Sequence, residues 1–135
     1  MATYNKFECF VGDLGTEVHQ LHTDVLKVYL TNNAPSASAD SKKGDLVGAT
    51  EENGYTAADV TNTYTETSGT GTLAATDVTI TAAGGTVGPF RYVVLYNDTA
   101  TDDPLIGWWD YASSITMNAG ESFKVDFGAN ILTLA

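Results

Sequence analysis

Between Gly88 and Tyr111 the chain reads GPFRYVVLYNDTATDDPLIGWWDY, and no other stretch limits the fold so tightly. Phe90 to Tyr96 is a nearly unbroken apolar and aromatic run, Asn97 to Asp103 is polar, and Leu105, Ile106, Trp108, Trp109 and Tyr111 form a second run after Pro104. Aromatic and β-branched residues on both sides of an Asn-, Asp- and Thr-rich break predict two antiparallel strands joined as a hairpin. A hairpin with one wet face would alternate apolar and polar residues. Here Phe90, Tyr92, Val94 and Tyr96 should point one way and Val93 and Leu95 the other, so both faces need cover. An opposing sheet supplies one cover. The other falls to the chain's only helix or to a neighbouring subunit.

A chain of 135 residues, 43% hydrophobic, is expected to form a single domain over 1–135. At this length it buries roughly two-thirds of its unfolded surface and needs no staple. Cys9 is the only cysteine, which leaves no internal disulfide. No apolar run approaches the roughly 20 residues of a membrane span. The opening MATYNKFECF lacks a basic start followed by an apolar block, so no secretion signal is expected. Seventeen acids against six bases give a net charge of −11, which repels phosphate and argues against nucleic-acid binding.

From Tyr4 to Leu21, the residues Phe7, Phe10, Val11, Leu14, Val18 and Leu21 fall on one stripe at helical spacing, predicting an N-terminal amphipathic α-helix over 4–21. Gly12 and Gly15 lie off the stripe and each weakens it by about 1 kcal/mol relative to alanine. Cys9 falls opposite the stripe as an exposed thiol. Val25 to Thr31 alternates as a strand. Residues 32–54 are small and polar, carry the adjacent Lys42 and Lys43, and offer only Leu46 and Val47 for burial. A loop of that length is expected either as an arm lying across another surface or as a solvated excursion.

From Tyr55 onward the pattern is a β-body over 55–135, with a row of threonines at 61, 63, 65 and 67 facing solvent or a polar surface. About eight strands in all, with frequent turn signals, predict a mainly β chain, an antiparallel β-sandwich or jelly roll.

Nothing in the sequence assembles a catalytic or metal-binding constellation, and the reading is a non-enzyme without cofactor. His19 and His22 are expected on the solvated side of the helix, with no third ligand and no HExxH spacing. Asn97, Asp98, Thr101, Asp102 and Asp103 lack the spacing of a calcium loop and read as a solvated hairpin tip. Adjacent strand residues face opposite ways, so one of Trp108 and Trp109 enters the core. Its neighbour is covered by the helix, anchors another protein or offers a stacking platform for a sugar. The candidate protein-interface residues are Phe7, Phe10, Lys42, Lys43, Trp108, Trp109 and Leu134.

Four segments carry a resemblance: YNKF at 4–7, DVLKVYLTNNAP at 24–35, NGYTA at 53–57, and the long run from Gly84 to Phe127. Together they resemble the small structural proteins of tailed bacteriophages, most of all the capsid cement or decoration proteins. The resemblance implies a jelly-roll body on the outer surface of the capsid, made in the host cytoplasm. It also implies bridging of neighbouring major capsid protein subunits; a homo-oligomer, dimer or trimer, is expected as well. A tail or fibre component that binds host glycans is the alternative, because similar sequences occupy those stations too.

Overall fold

The computed structural model describes residues 2–135. The chain is mainly β, with ten strands and one α-helix among the described residues. Strands β7 (Val87–Asn97) and β8 (Leu105–Met117) form the expected hairpin, in which Val93 faces Trp109 and Val94 faces Trp108. Strand β2 (Leu26–Thr31) pairs with the free side of β7, Val28 opposite Leu95 and Tyr29 opposite Val94. Strands β1 (Tyr4–Lys6) and β3 (Ala58–Asp59) complete a five-stranded antiparallel sheet in the order β1-β8-β7-β2-β3. Two smaller antiparallel sheets follow. One holds β10 (Leu132–Leu134), β5 (Thr70–Ala74) and β4 (Thr63–Thr67); the other pairs β6 (Val78–Thr81) with β9 (Ser122–Val125). The arrangement is consistent with a β-sandwich.

The hairpin's two apolar faces enter two separate cores. Val28, Leu30, Val93, Leu95, Ile106 and Trp109 join Leu73, Val78, Ile80 and Val125 from the smaller sheets, and Phe127 just beyond β9, in the larger core. Tyr29, Val94, Tyr96 and Leu105 join Phe7 and Leu46 in the smaller one. The alternation expected from the sequence holds from Val93 to Tyr96 and fails at Phe90, which sits with Val93 and Leu95. A strand irregularity explains the departure: Phe90 pairs with Ile115 and Tyr92 with Asp110, so two residues along β7 span five along β8. Such a bulge alters local twist and lets a side chain change faces.

The N-terminal segment corrects the expected long helix. Tyr4–Lys6 is a strand against β8, and the helix α1 covers only Cys9–Gly15. Pairing along β8 satisfies backbone groups that the first helical turn would leave open. Gly12 and Gly15 weaken the later part, and Glu17 at φ 67° lies outside helical conformation. The expected stripe is divided accordingly. Phe7 enters the smaller core, Phe10 and Leu21 the larger one, and Val11 is 58% exposed.

Candidate interaction surface

Three expected interface residues lie inside the molecule. Phe7, Phe10 and Trp109 are at most 4% exposed and present almost nothing to a partner, which corrects their assignment to an interface. The physical reason is that the chain covers both faces of its own hairpin. The second cover, expected from the chain's only helix or a neighbouring subunit, comes within this chain from residues 36–49 and the segment around Phe7.

The cover over the smaller core is the segment expected as an arm. It is tied down by backbone bonds at several points: Glu8 N–H, ahead of α1, donates to Ala37 C=O at 2.9 Å, Leu105 N–H of β8 to Ser41 C=O at 3.0 Å, and Lys43 N–H to Asp103 C=O in the hairpin loop at 2.9 Å. At the other end Ala49 N–H donates to Leu30 C=O at 2.7 Å, and the Thr31 hydroxyl to Val47 C=O at 2.6 Å. Side-chain turns stiffen it. Asp45 Oδ2 accepts from the backbone N–H groups of Ser41 and Lys42, and these bonds hold its carboxyl below the usual carboxylate range. Residues 36–49 therefore form a strap, with Leu46 as its apolar plug at 8% exposure.

The two adjacent lysines part company on this strap. Lys43 lies with Nζ 4.9 Å from the Tyr96 ring centre and 5.4 Å from that of Tyr29, so its charge is used internally. Lys43 is half-buried there, whereas Lys42 is exposed. Burial pushes the Tyr29 and Tyr96 hydroxyls upward from the ordinary tyrosine value, keeping both neutral under the strap. Tyr55 closes the outer edge of β2 by accepting the Leu30 N–H at 2.8 Å; desolvation pushes its pKa up to about 12.

The tryptophans divide as alternation requires. Trp109 is in the larger core, edge-on to Phe127 at 5.4 Å and to Tyr4 at 5.4 Å. Trp108 faces the other way and is half-buried, its ring 4.6 Å from Phe7. Phe7, just ahead of α1 rather than on the helix expected as a cover, shields part of the outward ring. Leu134 is half-buried on β10, an outer strand of the three-stranded sheet.

What remains open to a partner is mostly polar. Val47 is 77% exposed and, with Asn32, Asn33, Ala49, Thr50 and Pro89, lines an open groove of about 440 Å³. The far edge of the same sheet as Leu134 is β4, whose Thr63, Thr65 and Thr67 are exposed as the threonine row predicts. Among the cations, Lys27, Arg91 and Lys124 pair with Asp98, Asp110 and Asp77, and Lys43 is over its tyrosines. Among the described residues Lys6 and Lys42 are the exposed lysines outside these contacts, so the accessible surface is dominated by carboxylates.

Sequence reasoning missed one polar cluster altogether. His19 is 5% exposed rather than solvated, and its Nδ1 lies 3.0 Å from Asn97 Nδ2. Asn97 also donates to Asp24 Oδ2 at 2.7 Å. His22, by contrast, is exposed as expected. Cys9 is half-buried rather than exposed, its thiol directed at the carbonyls of Ser41 and Leu105, and burial raises its pKa. Among the described residues no group of three or more His, Cys, Asp or Glu is placed to hold a metal, and no helix is long and apolar enough to cross a membrane.

No protein family, curated protein or solved structure matches this chain.

Proposed function

We propose that this chain is a virion structural protein of a tailed bacteriophage. It binds the outside of the capsid and stabilises the shell by bridging neighbouring major capsid protein subunits. The observation that carries the reading is the sealed body. The strap and the N-terminal segment close the one face of the large sheet that the sandwich leaves open, so docking presents a preformed surface and little of the binding energy goes into ordering the chain. The resemblance over 4–7, 24–35, 53–57 and 84–127 supports a virion setting for that body.

The contact surface is moved from the buried aromatics to what the fold leaves outside: Val47 and its groove, Lys42, half-buried Trp108, and Leu134 at the edge of its sheet. An acidic surface keeps the protein off packaged DNA and suits partners that contribute the basic side of each contact. Each copy needs only a modest interface. A clamp that spans two subunits is lost only when both contacts fail, so many copies resist expansion together.

The test is addition of the purified protein to shells that lack it, followed by imaging. A regular lattice on the capsid exterior is expected, and Lys42→Glu together with Val47→Asp should lower occupancy. Binding at the tail alone would reject the cement reading in favour of a tail or fibre component. The half-exposed Trp108 ring would then be the place to look for glycan stacking.

A further inference from the structure

Asn97, at the end of β7, uses every polar atom of its side chain. Its Oδ1 accepts the backbone N–H groups of Thr99 at 2.9 Å and Ala100 at 3.1 Å, and its Nδ2 donates to Asp24 Oδ2 and faces His19 Nδ1. That pattern fixes the amide orientation. Turned over, the oxygen would confront the Asp24 carboxylate and the NH₂ group would confront two N–H donors. With Nδ2 committed as a donor, His19 Nδ1 must be the acceptor, and the ring is the neutral tautomer carrying its hydrogen on Nε2. That Nε2 is buried with no hydrogen-bond partner among the described residues. A proton added to the ring can go only to Nδ1, where it would meet the NH₂ group of Asn97, donor against donor.

We propose that His19, Asn97 and Asp24 form an acid-sensitive latch that holds the segment 16–25 against the tip of the β7–β8 hairpin and releases it when the imidazole takes up a proton. Leu21, on the same segment, is a core residue, and Phe10 lies 5.3 Å from the imidazole, so release exposes apolar surface. Asp13 of α1 and Asp24 of the turn segment are the charged groups that favour the cation. The hairpin offers the ring only the neutral Asn97, since Asp98 is paired with Lys27 at 3.0 Å. Desolvation outweighs the two carboxylates and lowers the pKa of His19 from its ordinary value. The closed state therefore holds fewer protons than the open one. The latch is at full strength above the ordinary histidine pKa of about 6.5 and weakens as pH falls below it, until the closed-state pKa is reached.

Amide hydrogen exchange between pH 5 and 8, corrected for intrinsic rates, reads the opening at Val25 and Asp98, whose N–H groups join the segment to the hairpin tip through Thr99 Oγ1 and Val25 C=O. The opening constant is expected to rise by up to about tenfold per pH unit below about 6.5. In His19→Gln, which keeps an acceptor for Asn97 and removes the titration, the profile should be flat. A flat profile in the unmodified protein, or the same slope in His19→Gln, overturns the proposal. Should His19→Gln fail to fold, nitrogen NMR of the unmodified ring decides: an Nδ1–H tautomer, or a titration midpoint at or above about 6.5, refutes the latch, and an Nε2–H ring with a lower midpoint supports it.

Discussion

Replacing Leu46 by alanine tests whether residues 36–49 are a strap or a free arm. The side chain is 8% exposed in a core of Phe7, Tyr29, Val94, Tyr96 and Leu105, so truncation removes three carbons from an apolar site. At about 0.8 kcal/mol per buried methylene the transfer loss is roughly 2.4 kcal/mol. The cavity adds to this, but a strap held by backbone bonds can settle into part of the space, which keeps the total near the low end of the usual 2–5 kcal/mol. The expected cost of about 2.5 kcal/mol is roughly a sixtyfold shift in the folding equilibrium. Val47→Ala, one residue along and 77% exposed, is the control and should change stability by no more than about 0.5 kcal/mol. Urea unfolding followed by tryptophan fluorescence measures both, with an unchanged slope against denaturant expected for a pure stability effect. If the two variants unfold within about 0.5 kcal/mol of each other, Leu46 is not plugging a core, and the claim that the chain seals its own second face is wrong.

Lys43→Met keeps the stem and removes the charge over Tyr29 and Tyr96; a loss of about 0.5–1 kcal/mol in chemical denaturation is expected, with no loss from Lys42→Met. Trp109→Ala should cost about 3–5 kcal/mol and Trp108→Ala clearly less, compared by thermal unfolding, because one ring is in the core and the other half outside it. Tyr55 ionises at about pH 12 when folded and near 10 when unfolded, so its contribution is complete below about pH 10 and is lost as pH rises towards 12. Absorbance titration of tyrosinate should show a late phase that coincides with unfolding. Tyr55→Phe leaves the buried Leu30 N–H without its acceptor and should destabilise at neutral pH by about 1–3 kcal/mol, read by denaturant melts.

The hairpin was readable because its information is local. A period of two, a polar break and a proline restart are written in consecutive residues, and the opposed placement of Trp108 and Trp109 follows from the same alternation. The N-terminal helix was misread because Phe7 and Phe10 fit helical spacing equally well when they serve two different cores. What removed the ambiguity was β8, about a hundred residues away, which takes Tyr4–Lys6 as a strand. Phe7, Phe10, Trp109 and Lys43 read as contact residues in the sequence because they are apolar, aromatic or charged. Those properties serve a core or an internal cation–π contact as well as a partner.

The sequence by itself determined the antiparallel β character, the central hairpin with its two apolar faces, and a surface crowded with carboxylates, since all three depend on residue type and short-range order. Only the tertiary structure decided what covers the second face, where Lys43 spends its charge, and that His19 meets Asn97 across 78 positions of chain. Those outcomes depend on contacts between distant segments, whose geometry is fixed by packing and hydrogen-bond satisfaction of the whole fold and leaves no periodic trace in the chain.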